Sequence, residues 1–148
     1  MTSLTRRYRF AAAHRLHSDK LSDEDNRTLF GPCNNLNGHG HNYVLVVTVR
    51  APVNRETGRA TEVEALDRLV QEAILSRFGH RDLDQDPELS LRPTTGENLV
   101  RFFWNLLVKR LPNGSLDKVG LIETRDNYFE YREPVTEAPV ADSRGVRG

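Results

Sequence analysis

The chain has 148 residues, room for one domain at the usual size of roughly 100–200 residues. Its 21 Lys plus Arg balance 21 Asp plus Glu, so no excess positive field draws in a nucleic-acid backbone, and nucleic acid is not an expected partner. The apolar run Val44 to Val47 falls far short of the ~20 residues that span a bilayer, the first ten residues carry three arginines and no apolar h-region, and the single cysteine, Cys33, excludes an intramolecular disulfide; no membrane partner is expected, and the chain is read as cytoplasmic.

Tyr8 to Leu16 reads as a strand that sets Tyr8, Phe10, Ala12, His14 and Leu16 on one face. Ser18 to Leu36 has no sustained period and reads as a long loop carrying Cys33; loops of that length in a compact domain usually serve a function. The β-branched and aromatic segment from His39 to Arg50 gives a second strand, ended by Pro52. Thr61 and Glu64 have capping-box spacing ahead of Leu66, Leu69, Val70, Ala73, Ile74 and Phe78, which marks a first helix. Thr94 and Glu97 repeat that spacing ahead of Leu99, Phe102, Phe103, Leu106 and Leu107, which marks a second. Lys118 to Glu123 and Tyr128 to Tyr131 read as a hairpin about Arg125-Asp126-Asn127. The expected fold is therefore α+β in the order ββααββ, an antiparallel four-stranded sheet with two helices on one face and the other face needing a partner. Residues 1–132 form the expected domain, and 133–148, poor in large apolar residues, an expected disordered tail.

His39 and His41, two apart at a strand start, project from one face, and His14 comes from the other early strand. Three neutral imidazoles with an open fourth position suit a catalytic zinc site, although imidazole also suits iron, copper and nickel, and ordinary strand histidines are the bland alternative. Gly38 and Gly40 flank the pair and allow close approach of backbone or substrate. Cys33, separated from His39 by five residues, reads either as a fourth structural ligand or as a thiolate beside the metal. His80, in Gly79-His80-Arg81-Asp82-Leu83-Asp84, is a candidate partner for that thiol or part of a solvated turn. Glu123 lies on the apolar-looking face of its strand, so its carboxylate needs either an arginine or a ligand edge with adjacent N–H donors.

Phe10-Ala-Ala-Ala-His14-Arg-Leu, Cys33-Asn-Asn-Leu-Asn-Gly-His39-Gly-His41-Asn-Tyr43, Gly79-His80-Arg-Asp-Leu-Asp84, Thr94-Thr-Gly-Glu97-Asn98 and Glu123-Thr124 together resemble the 6-pyruvoyl tetrahydropterin synthase family, in collinear order over about residues 6 to 132. The resemblance implies a T-fold (tunnelling fold) assembled as a homohexamer from two trimers. The implied activity is a lyase reaction converting 7,8-dihydroneopterin triphosphate to 6-pyruvoyltetrahydropterin with loss of triphosphate and no nicotinamide. It also implies Zn2+ on His14, His39 and His41, Cys33 as general base, His80 as relay, Glu123 as pterin anchor, and Thr95 and Glu97 along the pterin pocket. The related 6-carboxytetrahydropterin synthases of queuosine biosynthesis are the alternative, with a shorter cysteine-to-histidine spacing, and a zinc- and pterin-binding protein without catalysis is a second. Gly79 stands where the family commonly has aspartate, which leaves Asp82 or Asp84 as the expected substitute for orienting His80; Gly96 intervenes between Thr95 and Glu97 where relatives have none.

Overall fold

The computed structural model describes residues 1–133; the expected tail lies outside the described residues apart from Glu133. Two 13-residue strands, β1 (Thr2–His14) and β2 (His39–Ala51), pair antiparallel along their whole length. Phe10, Ala12 and His14 on β1 and Tyr43, Leu45, Val47 and Val49 on β2 are buried on a shared face, the alternation expected of a sheet with one covered side. β4 (Leu116–Thr124) pairs antiparallel with β2, and β5 (Asn127–Tyr131) with β4.

Among the described residues five strands are present rather than four. β3 (Arg81–Asp82) lies on the outer edge of β1 and runs parallel to it, giving the order β3-β1-β2-β4-β5, so the sheet is not wholly antiparallel. Two residues show no alternation from which a strand can be read.

Among the described residues three α-helices are present rather than two. The segment read as loop contains α1 (Asp23–Phe30), capped by Ser22, whose side chain accepts from the Asp25 N–H, and opened by Asp23, Glu24 and Asp25. Only Asn26 is buried in α1, so hydrophobic periodicity could not reveal it. The second helix, α2, covers residues 63–78 and has a wide π turn at Gln71–Leu75. Its buried Leu66, Val70, Ile74 and Phe78 recur every four residues, a spacing that drifts by about 40° per step on a 3.6-residue helix. The wide turn absorbs that drift and keeps all four against the sheet. Thr61 does not cap α2: the helix begins after Glu62, with no side-chain cap. The third helix, α3 (Gly96–Val108), is capped by Thr95 rather than Thr94, through the Asn98 N–H at 3.3 Å. Leu99, Val100, Phe103, Trp104 and Leu107 of α3 meet Val119 and Leu121 of β4 in the core. Both long helices lie on the face that also carries His14, His39 and His41, and among the described residues neither covers the opposite face, where Val46 and Thr48 are nonetheless buried within the sheet.

Candidate metal centre and active site

The β1–β2 register sets His14 opposite His39 and Ala12 opposite His41, so strand pairing alone gathers the three imidazoles at one end of the core. One ring nitrogen from each lies within 4.8 Å of the others, and Nε2 of His14 and His39 are 3.0 Å apart. The Nδ1–H of His14 donates to the Thr94 carbonyl at 2.9 Å, which fixes the tautomer and leaves Nε2 with its lone pair toward the cluster. Burial, opposed by the hydrogen bond to Thr94 and aided by the neighbouring His39 and His41 rings, lowers the His14 pKa to about 4. His39 and His41 are also lowered, chiefly by burial. All three are therefore held neutral near pH 7, the form a metal ligand requires. His41 Nε2 is buried without a hydrogen-bond partner among the described residues, as is His39 Nδ1. A donor set of three neutral imidazoles with an orphaned buried nitrogen fits a divalent ion of intermediate softness.

Gly38 makes this convergence possible. Its φ is +70°, and a Cβ there would lie 3.1 Å from the His14 carbonyl oxygen, so the chain enters β2 with its backbone pressed against the end of β1. At Gly40 the nearest atom to such a Cβ is 3.8 Å away, and no close approach is enforced.

Glu123 follows Ile122, which pairs with Val44, so it lies beside the histidines on the covered face. Its side chain is only 10% exposed, and Oε1 is 3.6 Å from His41 Nε2. Burial raises its pKa, Glu97 raises it further, and His39 opposes both. No arginine pairs with Glu123 among the described residues, so the internal ion pair considered from sequence is not what the fold builds.

Cys33 is a free thiol on the 3-10 turn Gly31–Asn34 that follows α1. Its carbonyl accepts from the Leu16 N–H at 2.8 Å, which holds the turn against the residues just beyond His14. Asn34 reinforces this link by donating to the Leu16 carbonyl at 2.7 Å, while its own carbonyl accepts from Arg15 Nε at 3.0 Å. Thr95 spends its hydroxyl on the α3 cap, and Glu97 is exposed in the first turn of that helix. His80 is exposed, and it lines an open cleft of about 440 Å³ together with Ala13, Gly40, His41 and Asp82.

Neither aspartate expected to substitute for residue 79 reaches His80 within the chain. Asp84 accepts from the Arg15 N–H and the Thr94 hydroxyl, and Asp82 accepts from the Asp84 N–H. The glycine is itself enforced, because a Cβ at position 79 would lie 2.6 Å from the Leu75 carbonyl oxygen. Thr94, Asn34 and Tyr43 are site residues that motif reading did not assign. Tyr43 is fully buried, its hydroxyl is 3.4 Å from His14 Nδ1, and burial with the nearby Glu123, Asp84 and Cys33 pushes its pKa up.

The sheet end and its three histidines define a small α+β protein with a candidate metal centre bordered by a buried carboxylate, with a free thiol on the turn tied just beyond His14. The family described as 6-pyruvoyl tetrahydropterin synthase matches residues 3–134. The chain belongs to this family. It is 44% identical over 130 residues to human 6-pyruvoyl tetrahydrobiopterin synthase, covering 87% of this chain and 90% of that one. To the Drosophila melanogaster protein of the same name it is 42% identical over 133 residues, covering 88% of this chain and 79% of that one. The solved Caenorhabditis elegans 6-pyruvoyl tetrahydropterin synthase superposes with a TM-score of 0.85 at 38% identity, over 90% of this chain and 96% of that one.

Proposed function

We propose that residues 1–132 form a zinc-dependent lyase that converts 7,8-dihydroneopterin triphosphate to 6-pyruvoyltetrahydropterin with loss of triphosphate. The observation that carries this reading is the buried carboxylate of Glu123 beside a convergent triad of neutral histidines. His14, His39 and His41 hold the metal, and when bound, zinc supplies Lewis acidity toward the side-chain oxygens of the substrate. Glu123 accepts the 2-amino and N3–H donors of the pterin edge. Two charge-assisted hydrogen bonds to the ionised form lower the carboxyl pKa that burial raises, so binding and ionisation of Glu123 reinforce each other. Thr95 and Glu97 line the pterin pocket at the start of α3. Cys33, held next to the end of β1, removes a proton from the positioned side chain as a thiolate, and His80 relays it.

The sheet face without a helix and the edges at β3 and β5, which have no partner strand among the described residues, support assembly into a homohexamer of two trimers. Among the described residues no helix is long and apolar enough to cross a membrane, and a single free thiol suits a cytoplasmic setting. Incubation with 7,8-dihydroneopterin triphosphate and chromatographic identification of the product tests the reading. 6-Pyruvoyltetrahydropterin is the expected product. A 6-carboxytetrahydropterin would assign the chain to the queuosine branch, and unchanged substrate would make it a pterin-binding protein.

A further inference from the structure

Asp84 belongs to none of the roles assigned above, yet it is the best-anchored carboxylate near the histidines. One oxygen accepts the backbone N–H of Arg15 at 2.6 Å, immediately after His14. The other accepts the hydroxyl of Thr94 at 2.8 Å. Thr94 is 1% exposed, and its carbonyl is the acceptor for His14 Nδ1–H. Asp84 is fixed in turn by the Asp82 carboxylate, which caps its N–H at 3.0 Å, and by Leu83, which is fully buried. Two segments distant in sequence from His14, at Asp84 and at Thr94, therefore hold one imidazole, from the backbone side and from the ring side.

We infer that Asp84 is a positioning residue for the metal centre, acting through Thr94 and the Arg15 N–H to hold the His14 ring in its metal-ready tautomer and orientation. The inference rests on the metal reading given above. The carboxylate acts as an outer partner one residue removed from the ligand: it sets the Thr94 carbonyl, and the carbonyl sets the ring. Its negative charge also favours the cation that the three neutral ligands do not neutralise.

Metal affinity, measured by chelator competition with Zn2+ and by the visible spectrum of the Co2+-loaded protein, tests this in the full chain. Asp84→Ala should weaken binding by about 10–100-fold, the usual cost of losing an outer partner, and alter the Co2+ spectrum. Thr94→Val, which keeps the carbonyl and the side-chain shape, should weaken it by more than about twofold. Asp84→Asn can still accept from Arg15 and donate to the Thr94 hydroxyl, so it should recover most of the affinity lost in Asp84→Ala. Thermal melting of the metal-free proteins separates positioning from folding, because a purely structural role lowers the apo melting temperature without changing the affinity of the folded fraction. Asp84→Ala and Thr94→Val proteins that both bind within twofold of the unsubstituted chain would overturn the inference. If Asp84→Ala does not fold, the Thr94→Val affinity decides alone. An unsubstituted chain that binds neither Zn2+ nor Co2+ would overturn the metal reading itself.

Discussion

Cys33 and His39 reach the same end of the sheet by different means, and their substitutions should differ accordingly. His39 is held by the β1–β2 ladder opposite His14, so His39→Ala removes a donor from a rigid set. It should lose stoichiometric metal by elemental analysis while the fold persists. Cys33 rests on a short turn tied to Leu16 through its own carbonyl and through the Asn34 side chain. Cys33→Ala should keep the metal and bind pterin but lose turnover by roughly 10²–10⁴-fold, the usual size of a general-base contribution. Metal lost together with activity would make the thiol a ligand. Of the residues around this site, those legible in sequence were the ones whose spacing has local meaning: the i and i+2 histidines, and a carboxylate on an apolar strand face. Asn34, Asp84 and Thr94 were not, because an ordinary polar residue acquires its partner only when segments 10 to 80 positions apart are folded together.

At the scale of elements, the π turn in α2 governs what position 79 can hold. Widening the helix keeps Phe78 in the core and leaves the Leu75 carbonyl where a Cβ of residue 79 would sit. Gly79→Asp, which motif comparison alone would favour, should therefore lower the melting temperature and not raise turnover. The cost should be of the 1–3 kcal/mol order typical of overpacking, about equally for Gly79→Ala. The segment after α2 is secured by Arg77, which pairs bidentately with Asp86 at 2.8 and 2.9 Å while its guanidinium lies over Phe78. That pairing lowers the Asp86 pKa from 3.8. A carboxylate depressed in the folded state contributes stability that is fully present above its unfolded value and disappears as pH falls through the folded one. Asp86→Asn should thus destabilise the protein at pH 7 and show a shallower loss on acidification below about pH 4. Urea midpoints at pH 7 and pH 3 check this. The strongly periodic helices and long strands were readable from sequence. β3 and α1 were not, the first being too short to show a period and the second exposed on nearly every side.

For the molecule as a whole, helices on one face leave Arg7, Arg9, Lys118 and Tyr128 on the other, beside strand edges that have no partner among the described residues. Copies of the chain that close those edges would also cover this face, so light scattering should report a six-chain particle at micromolar concentration, and a monomer there would remove the hexamer reading. Chelation should strip the metal and lower the melting temperature, with recovery on adding Zn2+ back, because a ligand bound only by the folded state stabilises it by mass action.

His80 has a φ of +59°, and its N–H donates to the Ala11 carbonyl at 2.6 Å, the bond that starts the pairing of β3 with β1. Left-handed backbone is open to glycine and asparagine at little cost and strained for most other side chains. The history of this position is consequently channelled: a lineage that lost the need for an imidazole would drift toward asparagine or glycine, while alanine or valine would be purged for their backbone rather than their chemistry. On the relay role proposed for His80, asparagine at position 80 among descendants of this chain would record the loss of that role in a subunit that still folds.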